Sequence, residues 1–403
     1  MASRRLALIV LFLCIALRSS RTPKSCDIYP SRGHESLILE RPVLSPLGQT
    51  LFLRLHLCIL VFASIFSRVT MRNLRSLVVA LAATVAALPG ASAAVVPPLA
   101  ADSVETQTNE IRALPASGYF DLKAPSLDLF RHKTLQDDTV QQGFAFDQQN
   151  RRLFVSQRRN GAAETAGDLT ITQLDLSGKN IGHMYLKGFG HGVAFAAQGV
   201  GKDTYLWTEV DASKSGYGQQ LARFKFVHGK TLSKSTSGLT KFKPFPKGGS
   251  MTCVINPVDN TLVVRYQLSG AKWIAAFPLA SATKGDFSKP LVNFKQPDVK
   301  GKSDVFQGYA AYGQYLYVLT GTSYEKSGGA VNSEVASIDM NTGTAHQKPA
   351  LTKAGESLEF REPEGMGVYT TAAGEPRLFL GFASGKGGDR RSNLFYKKVM
   401  VKK

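Results

Sequence analysis

A chain of 403 residues that is 43% hydrophobic and 20% charged, with 37 Gly and 18 Pro, excludes a disordered tail, a collagen-like rod and a small disulfide scaffold. Its formal charge of +19 suits polyanionic partners, and equally plain solubility. Gly, Thr, Val, Tyr and Phe are plentiful while long helix-forming runs are scarce, so composition favours many short strands joined by turns.

Residues 6–17 form an apolar run behind Arg4 and Arg5, with the length and flanks of a secretory signal core. A second run, residues 51–66, is interrupted by Arg54 and His56. The third is the most complete: Met71-Arg72-Asn73-Leu74-Arg75 is a basic start, residues 76–88 are apolar, and Ala91-Ser92-Ala93 is a small-residue cleavage site. The organisation expected is an over-extended leader at 1–70, a signal peptide at 71–93, an N-terminal linker at 94–119 and one folded domain at 120–403. The alternative is a genuine long leader with membrane anchors. No run reaches the ~20 apolar residues of a bilayer span, so the hydrophobic leader is read as cleavable or disordered and the protein as secreted.

Cleavage after Ala93 would remove Cys14, Cys26 and Cys58 and leave Cys253 without a disulfide partner, so stability must come from packing and strand pairing. The first 93 residues hold 11 of the 49 basic and 3 of the 30 acidic residues. The remainder keeps 38 and 27, a net charge of +11.

Beyond the leader one pattern recurs five times. Gln142-Gly143-Phe144-Ala145-Phe146-Asp147 turns into Arg152-Leu153-Phe154-Val155-Ser156-Gln157. His191-Gly192-Val193-Ala194-Phe195 leads to Thr204-Tyr205-Leu206-Trp207-Thr208, and Gly249-Ser250-Met251-Thr252-Cys253 to Thr261-Leu262-Val263-Val264-Arg265. Gln307-Gly308-Tyr309-Ala310-Ala311 leads to Tyr315-Leu316-Tyr317-Val318-Leu319, and Glu364-Gly365-Met366-Gly367-Val368 to Arg377-Leu378-Phe379-Leu380-Gly381. Aligned at positions 143, 192, 250, 308 and 365, the offsets are 49, 58, 58 and 57. Each copy reads as a hairpin: a small residue opens an apolar strand, Asn, Asp, Gly or Pro turns it, and a β-branched or aromatic strand returns.

Further strands are expected at 169–174, 220–227, 273–278 and 335–340, with 126–130 and 394–399 closing a ring. About four strands per period makes a propeller blade, and a lone blade leaves both faces bare. The fold expected is an all-β, five-bladed β-propeller in a single domain. A parallel β-helix is the runner-up, with shorter repeats.

The set Gln142-Gly143-Phe144-Ala145-Phe146-Asp147, Phe154-Val155-Ser156-Gln157, Gly190-His191-Gly192, Tyr205-Leu206-Trp207-Thr208, Phe306-Gln307-Gly308 and Glu362-Pro363-Glu364-Gly365 resembles one five-bladed propeller family. That family is shared by phage tail receptor-binding proteins and secreted proteins named after teichoic-acid biosynthesis protein C. The likeness covers roughly residues 120–403. It implies binding of a cell-wall or surface glycopolymer and does not by itself imply catalysis. The third copy departs from it, with Gly249 in place of a polar side chain.

The inner strands of a propeller converge at one mouth, so the matched polar residues Gln142, His191, Gln307 and Glu364 form the expected ligand-binding set. Sugars and polyol phosphates need dense donors and acceptors beside flat apolar platforms. The following strands offer Gln157, Arg158, Trp207, Arg265 and Tyr266, and Tyr309 joins the set. Arg158 and Arg265 are suited to fork onto a phosphate or carboxylate. The structural alternatives are glycines that recur because the strands crowd at the axis, polar neighbours that satisfy one another, and a Trp207 that belongs to the core.

Were the protein an enzyme, a glycosidase would use Glu364 with Glu362 or Glu209. A polysaccharide lyase would use His191 with Tyr309 or Arg361. A protein-interaction scaffold is the third reading. No zinc, EF-hand or nucleophile-elbow spacing occurs, so no metal or cofactor is expected. The basic and aromatic stretch 241–249 reads as a surface loop of an exported protein, not a nucleic-acid surface.

Overall fold

A computed structural model describes residues 113–402. The expected leader, the signal peptide and most of the linker lie outside the described residues. β1 (Tyr119–Phe120) and β2 (Leu127–Lys133) open the described chain. The first antiparallel sheet is β3 (Gln141–Asp147), β4 (Arg152–Arg158), β5 (Leu169–Leu174) and β6 (Asn180–Lys187). The second begins with β7 (Ala196–Val200), β8 (Asp203–Ala212) and β9 (Gly218–Lys225). Next β10 (Thr231–Ser233) returns to lie parallel on β6, and β11 (Thr240–Phe242) completes the second sheet.

The third sheet is β12 (Gly249–Asn256), β13 (Thr261–Leu268), β14 (Ala271–Pro278) and β15 (Val292–Lys295), with the short α1 (Leu279–Thr283) after β14. The fourth is β16 (Phe306–Tyr312), β17 (Tyr315–Thr320), β18 (Glu334–Asp339) and β19 (Thr344–Leu351), with α2 (Tyr324–Ser327) after β17. The fifth is β20 (Glu362–Thr370), β21 (Pro376–Ser384) and β22 (Arg391–Lys397), and its outer edge is β2. β23 (Met400–Val401) pairs with β1. The chain thus closes its own ring: Leu127 pairs with Tyr396 and Asp128 with Phe395, joining the first long strand to the last blade.

Alternation along the second strand of each blade explains why the sheets stand in a circle. Leu316 and Val318 of β17 pack into the seam with the third blade, while Tyr315, Tyr317 and Leu319 pack into the seam with the fifth. Phe154 of β4 likewise faces the second blade, and Leu153 and Val155 face the fifth. Successive strand residues point to opposite faces, and both faces carry apolar side chains, so each sheet needs a neighbour on each side. Among the described residues the buried apolar side chains form five clusters, one at each of the five seams. Each fully buried Leu or Phe is worth about 1.5–3 kcal/mol, so no blade is stable alone.

The inner strands break register at one level. Ladder shifts fall between Gln141 and Gly143, Gly249 and Thr252, Phe306 and Gly308, and Pro363 and Met366. The second copy departs further. Residues 191–195, expected as strand, are irregular, and β7 begins only at Ala196. Side chains satisfy this segment where a ladder would have done so. The Gly192 N–H donates to Glu209 Oε1 at 2.8 Å, and the Gly192 carbonyl accepts from Ser156 Oγ at 2.7 Å.

At the same level the glycines crowd one another. A Cβ on Gly143 would meet the Gly192 carbonyl oxygen at 2.8 Å, and one on Gly308 would meet Gly365 Cα at 2.9 Å. Backbone therefore occupies the axis there. Beyond it lies a void of only about 30 Å³ with Ala145, Ala197, Val254, Ala311 and Val368 in its wall.

Candidate functional site

The end of the ring at which β3, β12, β16 and β20 begin holds a cavity of about 850 Å³. The repeat places one matched polar residue from each of four blades on it: Gln142, His191, Gln307 and Glu364. Arg158 and Glu362 line it as well. The third blade contributes none of its wall. There Gly249 has replaced the polar residue, and its Cβ position lies 2.4 Å from Gln219 Oε1, so the second blade fills that space.

Each member is fixed differently. Gln307 is 6% exposed, lines the cavity and donates through Nε2 to the Gly321 carbonyl at 3.0 Å. Gln142 donates to the Gln141 carbonyl at 3.3 Å. Gln141 in turn reaches across the seam to the Glu364 carbonyl at 3.0 Å, and so ties the first blade to the fifth beneath the cavity floor. Gln157 is buried and donates to the carbonyls of Asp137 and Thr139, which holds the loop before β3 over the cavity edge.

Glu364 is the most unusual group. It is 5% exposed, its carboxyl has no hydrogen-bond partner among the described residues, and it borders the cavity. Burial drives its pKa well above the carboxylate range, the neighbouring Glu362 pushes the same way, and Lys326 opposes. Lys326 Nζ lies 3.5 Å from Glu362 Oε1. Burial thus biases Glu364 toward its protonated form, beside a Glu362 that pairs with Lys326.

His191 stacks on Tyr217, with ring centroids 4.9 Å apart and planes 20° from parallel. Burial holds its imidazole below the usual range, against Glu164 and with Arg158, so the ring is neutral at pH 7. Its loop rests on Glu209. The two oxygens of Glu209 accept from Gly192 N–H at 2.8 Å and Gly218 N–H at 2.6 Å, and burial pushes its carboxyl up to about 7.

Four more expected residues lie elsewhere. Trp207 is fully buried in the seam between the second and third blades, stacked on Phe242, and donates to Gln198 Oε1 at 3.0 Å. Tyr309 is buried in the seam between the third and fourth, its hydroxyl 3.3 Å from the Val263 carbonyl. Arg265 opens onto a different cavity. Tyr266 lies against Phe245, with centroids 3.7 Å apart.

Among the enzyme candidates, Glu209 is held behind the His191 loop. Arg361 is fully buried and donates to the carbonyls of Thr352 and Ala354 and to Ser333 Oγ. Neither Arg361 nor Tyr309 reaches the cavity, so the expected lyase pairing with His191 is not assembled. In the stretch 241–249, Lys241 pairs with Asp211 at 2.9 Å, and Lys243 donates to the carbonyls of Gln219 and Gly248.

The platforms that sequence reasoning missed are Tyr217 and Phe306. Tyr217 sits between Gly216 and Gly218 at a strand turn, and Phe306 immediately precedes Gln307. Flanking glycines and adjacency to a matched polar residue were the available signals. No group of three or more His, Cys, Asp or Glu among the described residues is placed to hold a metal ion. No described helix is long and apolar enough to cross a membrane.

Comparison with known proteins agrees with the architecture. Residues 140–396 match the family model described as the phage 5-bladed beta propeller receptor binding platform domain. A Bacillus subtilis (strain 168) protein named "Putative major teichoic acid biosynthesis protein C" is 27% identical over 286 residues, covering 68% of this chain and 63% of that protein. The tail fiber of Staphylococcus aureus phage P68 superposes with a TM-score of 0.56 at 19% identity, over 70% of this chain and 54% of the fiber chain. An α-L-arabinofuranosidase from Lactobacillus brevis reaches a TM-score of 0.41 at 11% identity, over 65% of this chain and 92% of its own, and carries no argument about chemistry. The chain spans less than two thirds of the curated relative and about half of the tail-fiber chain. With more than half of its length matched by the family model, the chain belongs to the phage five-bladed β-propeller receptor-binding platform family.

Proposed function

We propose that this protein is exported and binds an extracellular or cell-wall glycopolymer, of teichoic-acid-like or other polysaccharide chemistry, in the cavity at the mouth of the ring. One observation carries the reading: four blades each turn one matched polar side chain onto a single 850 Å³ cavity that also exposes Tyr217 and Phe306. Hydrogen-bonding groups interleaved with aromatic faces are what a polyhydroxylated ligand requires. The receptor-binding description of the family and the teichoic-acid name of the Bacillus relative point the same way.

A second reading rests on Glu364. A buried carboxyl with a raised pKa next to a second carboxyl, Glu362, is the arrangement a glycosidase uses for its acid and its partner carboxylate. One experiment separates the two. The folded domain is incubated with purified wall teichoic acids and polysaccharides, and both retention and new reducing ends are measured. Retention without product is the expected result. New reducing ends that vanish in Glu364→Gln would make the protein a hydrolase, and neither outcome with any polymer would leave a protein-interaction scaffold.

A further inference from the structure

A second cavity, of about 550 Å³, opens at the same end of the ring between the third and fourth blades. Phe306 lines both cavities and is the partition between them. Arg265, in the middle of β13, is 8% exposed, and its guanidinium stacks 3.8 Å from the centroid of the Phe306 ring. Its Nε donates to Gln296 Oε1 at 2.8 Å, while its two terminal nitrogens have no protein acceptor among the described residues. Lys272 Nζ, across the β13–β14 hairpin, donates to Gln267 Oε1 at 2.8 Å. Lys295 and Lys300 stand at the rim.

Of these four cations only Lys300 has a carboxylate partner, Asp304 at 3.8 Å, and both are exposed. Asp298 faces its own loop, accepting the Lys300 N–H at 3.0 Å. Burial holds Lys272 down to about 8, with the charge of Arg265 acting in the same direction. Asp298 and Asp304 also line the cavity and Glu209 opposes the shift of Lys272, but none of them is in ion-pair contact with Arg265 or Lys272. A buried guanidinium beside a half-buried ammonium, neither in a direct ion pair, costs stability unless an anion is supplied from outside. Arg adds a planar fork suited to two oxygens of one phosphate.

We propose that this cavity is an anion subsite, in which Arg265 and Lys272 hold a phosphate group of the same glycopolymer whose sugar or polyol unit occupies the mouth across Phe306. The proposal rests on the binding reading above and narrows it to phosphate-bearing polymers.

The test compares the intact folded protein with Lys272→Gln, which keeps a partner for Gln267 and removes the charge. The probes are poly(glycerol phosphate), a neutral oligosaccharide of similar length, and inorganic phosphate alone. Lys272→Gln is expected to weaken poly(glycerol phosphate) binding at least about tenfold, without lowering the melting temperature and with any binding of the neutral oligosaccharide unchanged. Equal affinity of wild type and variant for poly(glycerol phosphate) would overturn the subsite. So would an equal loss of both polymers. Inorganic phosphate keeps the two readings apart. Amide shifts along β13 and β14 in the wild type that are lost in Lys272→Gln support the subsite even if no polymer binds the mouth, and their absence from the wild type counts against it.

Discussion

A Cβ on Gly365 would sit 2.7 Å from the Cα of Gly143, so the fifth and first blades meet backbone to backbone at the axis, directly beneath Glu364 and Gln142. The recurring glycine is therefore a packing requirement of the ring, and the polar residue before it is left to face the cavity. Gly365 also has a φ of +87°, a conformation that costs an ordinary residue about 1 kcal/mol even where space is free. Gly365→Ala is expected to destabilise the protein by about 2–4 kcal/mol, measured by urea unfolding. Gly161→Ala is the control. It shares a positive φ of 73° but has open space, so it should cost only about 1 kcal/mol.

Glu209 links stability to pH. Its folded-state carboxyl titrates at about 7, above its ordinary 4.5, so its contribution to stability is complete below about pH 4.5 and is lost as pH rises through 7. Glu209→Gln has no such dependence, and it places an amide donor against one of the two N–H groups of Gly192 and Gly218. The cost of the substitution should therefore be larger at pH 5 than at pH 8, by about 2–3 kcal/mol. Unfolding curves of both proteins at the two pH values check this. Equal costs at both would show that Glu209 does not titrate in this window.

Trp207 is fully enclosed between two blades. Trp207→Ala is expected to cost about 3–5 kcal/mol, while the fraction that remains folded binds polymer as the wild type does. Loss of affinity with unchanged stability would place the indole in the ligand site after all.

Closure of the ring depends on β2. Phe130 of that strand is buried at the seam between the first and fifth blades. Phe130→Ala should lower stability by about 3–5 kcal/mol, and amide exchange should rise first along β2 and β22, the two strands that meet there. Protection lost uniformly across all five blades would argue against a local clasp.

The hairpins were legible because alternating apolar residues and turn chemistry are local properties. Residues 169–174 were expected as strand and form β5, and the closing strands near 126–130 and 394–399 pair as β2 and β22. The entrance of the second blade was not legible. Val193, Ala194 and Phe195 look like strand, but the path of the chain is set by Glu209, whose side chain captures Gly192 from 17 residues away. The clue was a carboxylate inside the apolar run Leu206-Trp207-Thr208-Glu209-Val210. Strand position alone places Trp207 and Arg265 with the mouth, because it does not say which seam or which cavity a side chain enters. In a blade covered on both faces, neighbouring residues such as Leu206 and Trp207 are both buried, in different seams.

The central claim is that the matched polar residues share one ligand. The most direct test is the dissociation constant for the retained wall polymer, measured for the wild type, Gln142→Ala, Glu364→Gln and a distant surface variant, Lys230→Ala. Loss of a hydrogen bond to a bound ligand is worth about 1–3 kcal/mol, so each mouth variant should bind roughly 10- to 100-fold more weakly with its melting temperature preserved, and Lys230→Ala should not change. Wild-type affinity in both Gln142→Ala and Glu364→Gln would contradict the claim.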